Sequence, residues 1–229
     1  MAKRFYKEVG TSPKGAGFVV TLDNRVLKTP GKQALLIDSP LRAKLVAAEW
    51  QAQEEDIKPE TMPCTRLMNV ACELTPSRRP ELIKEFCSYC ETDLLCFRAD
   101  APHDLAERQA QKWQPILDWA AREHGVSLLV TSGVTALPQP KISLIAAASY
   151  AEKLSHTDLT LLLHMTASFG SGVLALAALE KHVDMETAYH TSRLDEVFQN
   201  ERWGEDEEAV ARNENIRSEL LKLANLIQE

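Results

Sequence analysis

Cys87-x-x-Cys90, with Cys96 close behind, is the spacing in this chain best suited to chemistry. Two thiols so placed can serve as a redox pair, or as part of a zinc site. A structural zinc site needs four ligands in two close pairs, and Cys64 and Cys72 lie too far apart to be the second pair. A redox pair should open a helix after a strand, whereas these residues fall late in a helical pattern. Buried, unreactive thiols are the better reading, and no metal is expected. The six histidines contain no HExxH and no close pair; Glu186 and His190 share a helix face as an ordinary i, i+4 couple. Gly170-Ser171-Gly172 resembles half of a nucleophile elbow, but its glycines flank the serine directly inside an apolar run. Small residues that let two helices approach explain it better than a nucleophile. No phosphate-cradling or dinucleotide glycine pattern occurs, so no cofactor is expected.

The acidic stretch from Asp195 to Glu208 holds seven carboxylates around Phe198 and Trp203. It reads either as a solvated helix face or as a recognition surface, with an aromatic anchor ringed by charge. The formal net charge of -7, and basic clusters no larger than Lys3-Arg4 and Arg78-Arg79, exclude nucleic acid as a partner. With 26% charged residues against 45% hydrophobic ones, the composition is that of a folded globule. An odd cysteine count and a charged first segment speak against secretion and for a reducing cytoplasm. From Leu159 to Leu179 there is no charged residue, which is about the length a bilayer requires. His164, several hydroxyls and the glycines interrupt it, and no basic cluster flanks it. Core helices with a break at the glycines are expected rather than an integral membrane segment.

The elements that would hold these residues divide into two groups. Strands are expected over 4–8, 18–23, 25–28 and 34–37, with 10–17 a turn-rich loop and Asp23-Asn24 a tight hairpin turn. Ser39-Pro40 is an N-cap followed by a first-turn proline. From Lys58 onward the pattern is helical. Helices are expected over 65–74, stopped by Thr75-Pro76, then over 79–89, 104–124 (closed by Gly125), 141–154, 184–199 and 205–227, with 126–137 extended. The chain therefore reads as α+β: a β-rich amino-terminal domain with one helix at 1–60, then a helical carboxy-terminal domain at 61–229.

Several short motifs run through the chain in order: Arg4-Phe5-Tyr6-Lys7, Leu22-Asp23-x-Arg25-x-Leu27-Lys28-Thr29-Pro30, Glu49-Trp50-x-x-Gln53 and the block from Met62 to Ala71. After them come Thr92-Asp93-Leu94-Leu95-Cys96-Phe97-Arg98-Ala99, Gln109-x-x-x-Trp113-x-Pro115-Ile116-Leu117-x-Trp119, Ser171-Gly172 through Leu179, and Glu196-x-x-Gln199-x-x-x-Trp203-Gly204. Together they resemble the ATP-twelve family, the assembly chaperones of the alpha subunit in the catalytic head of ATP synthase. Phe97 stands where that family is expected to have tyrosine, Glu73 where it has aspartate, and Cys64 where it has an aliphatic residue.

The resemblance implies a small β-containing domain before a larger helical one. It also implies a non-catalytic protein that holds unassembled alpha subunit until a beta subunit replaces it. The family's important carboxylate maps to Glu196, with Gln199 and Trp203 shaping its surroundings as a partner-binding set. Trp203 is open to a second reading, as a core anchor for the last helices. Arg66 and Arg98 are expected to hold interdomain carboxylates. A bacterial cytoplasm is the implied compartment, or the mitochondrial matrix for a mature eukaryotic form.

Overall fold

A computed structural model describes residues 2–133 and 135–227. By internal contacts the chain divides into two units. The first comprises 1–79, 155–161 and 222–229; the second comprises 80–154 and 162–221.

The first unit is built on an antiparallel meander of β1 (Val9–Lys14), β2 (Gly17–Leu22) and β3 (Arg25–Val26). The stretch expected to be a loop is thus the first strand, with Val9 opposite Leu22 and Lys14 opposite Gly17. The expected strand over 4–8 does not form a ladder. Asp23 is the physical reason: its Oδ1 accepts the Lys7 and Glu8 amides at 2.9 and 2.8 Å, which takes those donors away from a neighbouring strand. The β2–β3 turn is the expected one. Asp23 and Asn24 both have positive φ (46° and 65°), the left-handed pair a twisted hairpin requires. The fourth strand candidate is reduced to single bridges, Lys28 to Ala34 and Phe18 to Ile37. Gly17 permits that second approach, because a Cβ there would lie 2.6 Å from the Ile37 carbonyl oxygen.

Helix α1 (Pro40–Gln51) covers β1 and β2. Ser39 caps it, accepting the Arg42 amide. Arg42 is buried and ion-paired to Asp38 and Asp158, and its Nε donates to the Leu226 carbonyl at 3.1 Å. One guanidinium therefore binds three separate stretches of sequence, which is why the unit is not contiguous along the chain. Helix α2 (Pro63–Glu73) starts on a carboxylate supplied by α1. Glu49 accepts the Cys64 amide, the Thr65 amide and the Thr65 hydroxyl, each at 2.7 Å. A negative charge on open N–H groups at a helix start is stabilising. Gln53 braces the same corner, taking the Lys58 amide at 2.7 Å and donating to Thr61. Glu73 reaches Gly31, whose amide it accepts.

Helix α2 ends before Thr75-Pro76, as expected, with Leu74 as its C-cap. Helix α3 (Thr75–Glu91) begins at once, and the irregularity comes at Arg78 (φ -112°, ψ 15°), two residues before Pro80. A proline removes an N–H and crowds the preceding turn, so the kink belongs there.

In the second unit α3 runs on into a 3-10 turn at Leu94–Cys96 and β4 (Phe97–Arg98). Helix α4 (His103–His124) ends on Gly125 at φ 69°, and β5 (Thr131–Ser132) pairs parallel with β4. The expected extended stretch over 126–137 thus forms only two residues of strand, and Val134 within it lies outside the described residues. There follow α5 (Lys141–Lys153), α6 (His156–Phe169), α7 (Gly172–Leu179), α8 (Met185–Ser192), α9 (Leu194–Trp203) and α10 (Glu207–Ala224). The long uncharged run breaks at Gly170, as its glycines imply, into α6 and α7. Every residue of α7 from Gly172 to Ala178 is buried. A helix apolar on all sides has to be enclosed, and α7 lies against α4 and α8. Among the described residues no helix is long and apolar enough to cross a membrane.

Where a single helix is expected over 184–199, the structure has α8 and α9, broken at Arg193 (φ -102°, ψ 10°). The buried Trp113 indole N–H donates to the Thr191 carbonyl at 3.0 Å, the oxygen that would accept from the residue 195 amide in a continuous helix. Arg193 itself turns to the Ser168 carbonyl at 3.0 Å. That break sets the direction of α9, which carries the acidic stretch.

Candidate functional site

Helix α9 has two unlike faces. Phe198 is buried, and the guanidinium groups of Arg108 and Arg202 lie over its ring at 5.2 and 4.3 Å. The same arginines carry ion pairs back to the helix pair. Arg108 holds both oxygens of Glu201 at 3.0 and 2.8 Å, and Arg202 meets Asp104 at 2.7 Å. Asp195 accepts Gln109 Nε2 at 2.8 Å, while the other end of that buried amide accepts the Ala99 N–H at 2.8 Å. These contacts fasten α9 to α4. The two arginines were not singled out by sequence; only their charge next to an acidic helix hinted at them.

Opposite Phe198, helical spacing puts Glu196, Gln199 and Trp203 on one side. Glu196 is half-buried: Oε1 accepts Asn213 Nδ2 from α10, and Oε2 lies 3.9 Å from Arg193 Nε. Gln199 is exposed, and Trp203 is 77% exposed. Trp203 therefore anchors no core; Phe198 does that. The remaining acids divide by role. Asp206 caps α10 by accepting the Glu208 and Ala209 amides, and Glu207 and Glu208 sit in its first turn, where the helix dipole favours them. The acidic stretch is thus neither a uniform solvated face nor a complete ring. It is an exposed tryptophan at a helix end, with one partly engaged carboxylate a turn or two before it.

The residues with apparent chemistry are spent on structure. Ser171 caps α7, accepting the Leu174 amide at 2.9 Å and donating to Asp93 at 2.7 Å. Asp93 is fully buried and also accepts the Val173 and Leu95 amides, both at 3.0 Å. Burial pushes its carboxyl up to about 6, and the donors hold it from rising further. Gly172 faces α3 so closely that a Cβ would sit 2.7 Å from Cys90 Sγ. Burial pushes the Cys90 thiol well up and that of Cys96 up to about 12, so both are protonated near neutrality. Cys87 donates to the Leu144 carbonyl. Among the described residues no group of three or more potential ligands could hold a metal ion. Arg98 does not hold a carboxylate between domains: it lies over the Trp113 ring and donates to the Leu95 carbonyl at 3.0 Å and to Gln114.

Residues 3–121 match the family model described as ATP12 chaperone protein. Over 237 residues the chain is 23% identical to the mitochondrial protein atp12 of Schizosaccharomyces pombe, covering 98% of this chain and 81% of that one. Over 253 residues it is 26% identical to the mitochondrial protein ATP12 of Saccharomyces cerevisiae, covering 90% and 78%. The crystal structure of Atp12 from Paracoccus denitrificans superposes with a TM-score of 0.93 at 38% identity, covering 99% of this chain and 97% of that one. The Atu1473 protein of Agrobacterium tumefaciens, titled a putative chaperone, superposes with a TM-score of 0.94 at 35% identity, covering 99% and 85%. With the α+β fold in common and the family model matched over residues 3–121, the chain belongs to the ATP12 family, whose members are chaperones and not enzymes.

Proposed function

We propose that this chaperone serves the assembly of ATP synthase by binding the unassembled alpha subunit of the catalytic head. It shields the apolar face that alpha later presents to beta, and beta then replaces it. An orphan subunit with such a face aggregates, and a protein that covers it lowers the sticky population by mass action. The cycle makes and breaks no covalent bond. In this reading the chain works in the cytoplasm of a bacterium, or in the mitochondrial matrix for a mature eukaryotic form.

The observation that carries the reading is the exposed Trp203 at the end of α9, on one face with Gln199 and Glu196. A large aromatic side chain in solvent, next to polar groups, is the composition of an interface hot spot. Glu196 supplies a charged contact and Gln199 an adaptable one. Co-expression of alpha alone with this chain tests the reading: alpha should become soluble and co-purify, and adding beta should release it. Alpha that stays insoluble, or that never associates, would refute it.

A further inference from the structure

Helix α10 changes character along its length. One stripe of it faces inward: Ala209, Asn213, Ile216, Leu220 and Leu223, at spacings of four and three. Leu220 and Leu223 are 0% and 1% exposed, whereas the three before them are only half-buried. No residue from Glu207 to Glu219 is buried. A helical stretch this short is marginal in water without tertiary packing, so its side-chain contacts decide whether it stays docked and helical. Those contacts are polar. Asn213 Nδ2 donates to Glu196 on α9, and the Asn213 carbonyl accepts the Tyr189 hydroxyl at 2.9 Å. Arg217 Nε donates to Glu186 on α8 at 2.7 Å, and Glu219 lies 3.5 Å from His164 on α6.

The joint with α9 is a swivel. Gly204 has φ 90° and ψ 166°, a conformation essentially confined to glycine. Among the described residues, a Cβ there would meet nothing within 4 Å. Beside the Asn213 contact a donor goes unserved. Arg193 Nε is buried without a hydrogen-bond partner among the described residues, and Glu196 Oε2 is 3.9 Å away. A buried donor in that state costs free energy. Once it lets go of Asn213, Glu196 can close that gap, which offsets part of the cost of undocking α10. A carboxylate accepts several donors, so it can serve Arg193 and a second partner together.

We infer that residues 207–219 form a strap that competes with the protein client for Glu196, opening from Gly204 as the client binds and closing as it leaves. The inference rests on the proposed function, from which it takes Glu196 as a client contact. Closed, Asn213 occupies one oxygen and keeps the carboxylate from Arg193. Open, the whole carboxylate is available. The client binds the open population, so its apparent affinity falls with the fraction of chains that are closed.

Hydrogen exchange of the free full chain reads the strap without any client. Amides of 211–217 should exchange about a hundredfold faster than those of 220–224 in the same helix. Equal protection along α10 overturns the inference. Asn213→Ser/Arg217→Gln removes both clasps with little change in helix propensity. It should speed exchange at 211–217 about tenfold and leave that of α7 unchanged. Binding of purified alpha subunit should tighten about threefold, because more chains are open. Gly204→Ala strains the closed joint through the backbone alone, and should move exchange and affinity in the same directions. Variants that bind alpha no better than the parent overturn the inference while the client assignment stands. Alpha bound to the parent should speed exchange at 211–217 further. Protection of those amides instead makes the strap part of the contact and overturns the inference. A parent that does not bind alpha overturns the client assignment and this inference with it.

Discussion

Asn213 on α10 donates to one oxygen of Glu196 on α9, while the other oxygen has Arg193, at 3.9 Å, as its ionic neighbour among the described residues. The carboxylate is held in place on one side and engaged at longer range on the other. Its side chain keeps 36% of its exposure. In the proposed function that second oxygen meets a donor on the client. Glu196→Gln keeps an acceptor for Asn213 and removes the charge. The expected loss of stability is below about 1 kcal/mol, as for exposed ion pairs. Binding of alpha, read by titration at two ionic strengths, should weaken and lose part of its salt dependence. Unchanged affinity would remove Glu196 from the contact.

Trp203 and Phe198, five residues apart on one helix, should behave oppositely on truncation. Trp203→Ala removes an exposed ring, so the stability change should stay within about 0.5 kcal/mol. Its cost should fall on client affinity, by about 2 kcal/mol if Trp203 is a hot spot. Phe198→Ala empties a buried site and removes the ring beneath two guanidinium groups, at a cost of about 3–5 kcal/mol. Chemical denaturation and a binding titration on both variants check the pair. Equal stability losses would contradict the two-faced description of α9.

Gly172→Ala should cost about 1–3 kcal/mol, because the new methyl meets Cys90 Sγ at 2.7 Å and the Phe86 ring at 3.1 Å. Cys90→Ala opens space beside it. The double variant should therefore recover part of the loss, giving a favourable coupling energy in a double-mutant cycle read by urea denaturation. Strict additivity would mean that the contact is not the source of the cost.

Asp93 gives the fold a pH dependence of definite sign. Its carboxyl is raised to about 6 from an ordinary 3.8, chiefly by burial. The folded state therefore binds the proton more tightly than the unfolded chain does. The group's contribution is fully present below about pH 4 and is lost as pH rises through about 6, on the order of 3 kcal/mol in all. Asp93→Asn should abolish that slope between pH 4 and 7. Because an amide cannot accept every donor around it, the variant should also be less stable throughout. A variant with the parent's slope would place the titration elsewhere.

Local rules reached the parts of the molecule where one signal dominates. The Asp23-Asn24 turn, the Ser39-Pro40 start, the Gly125 stop and the break at Gly170 each depend on a single backbone preference. Sequence reading failed where a distant side chain decides. Asp23 draws off the amides that would have made 4–8 a strand, and Trp113 takes the carbonyl that would have joined α8 to α9. For the candidate site, the family resemblance supplied Glu196, Gln199 and Trp203, but burial alone separated the roles of Trp203 and Phe198. Helical periodicity says which residues share a face, not which face meets solvent.

The central claim is that this chain holds the alpha subunit by covering an apolar face. The direct measurement is light scattering of dilute, unassembled alpha subunit with one molar equivalent of the purified chain, followed by addition of beta. Scattering should stay low in the first step, and alpha should pass into an alpha–beta complex free of this chain in the second. Aggregation at the rate seen without the chain, or a chain that remains bound after beta is added, would contradict the account.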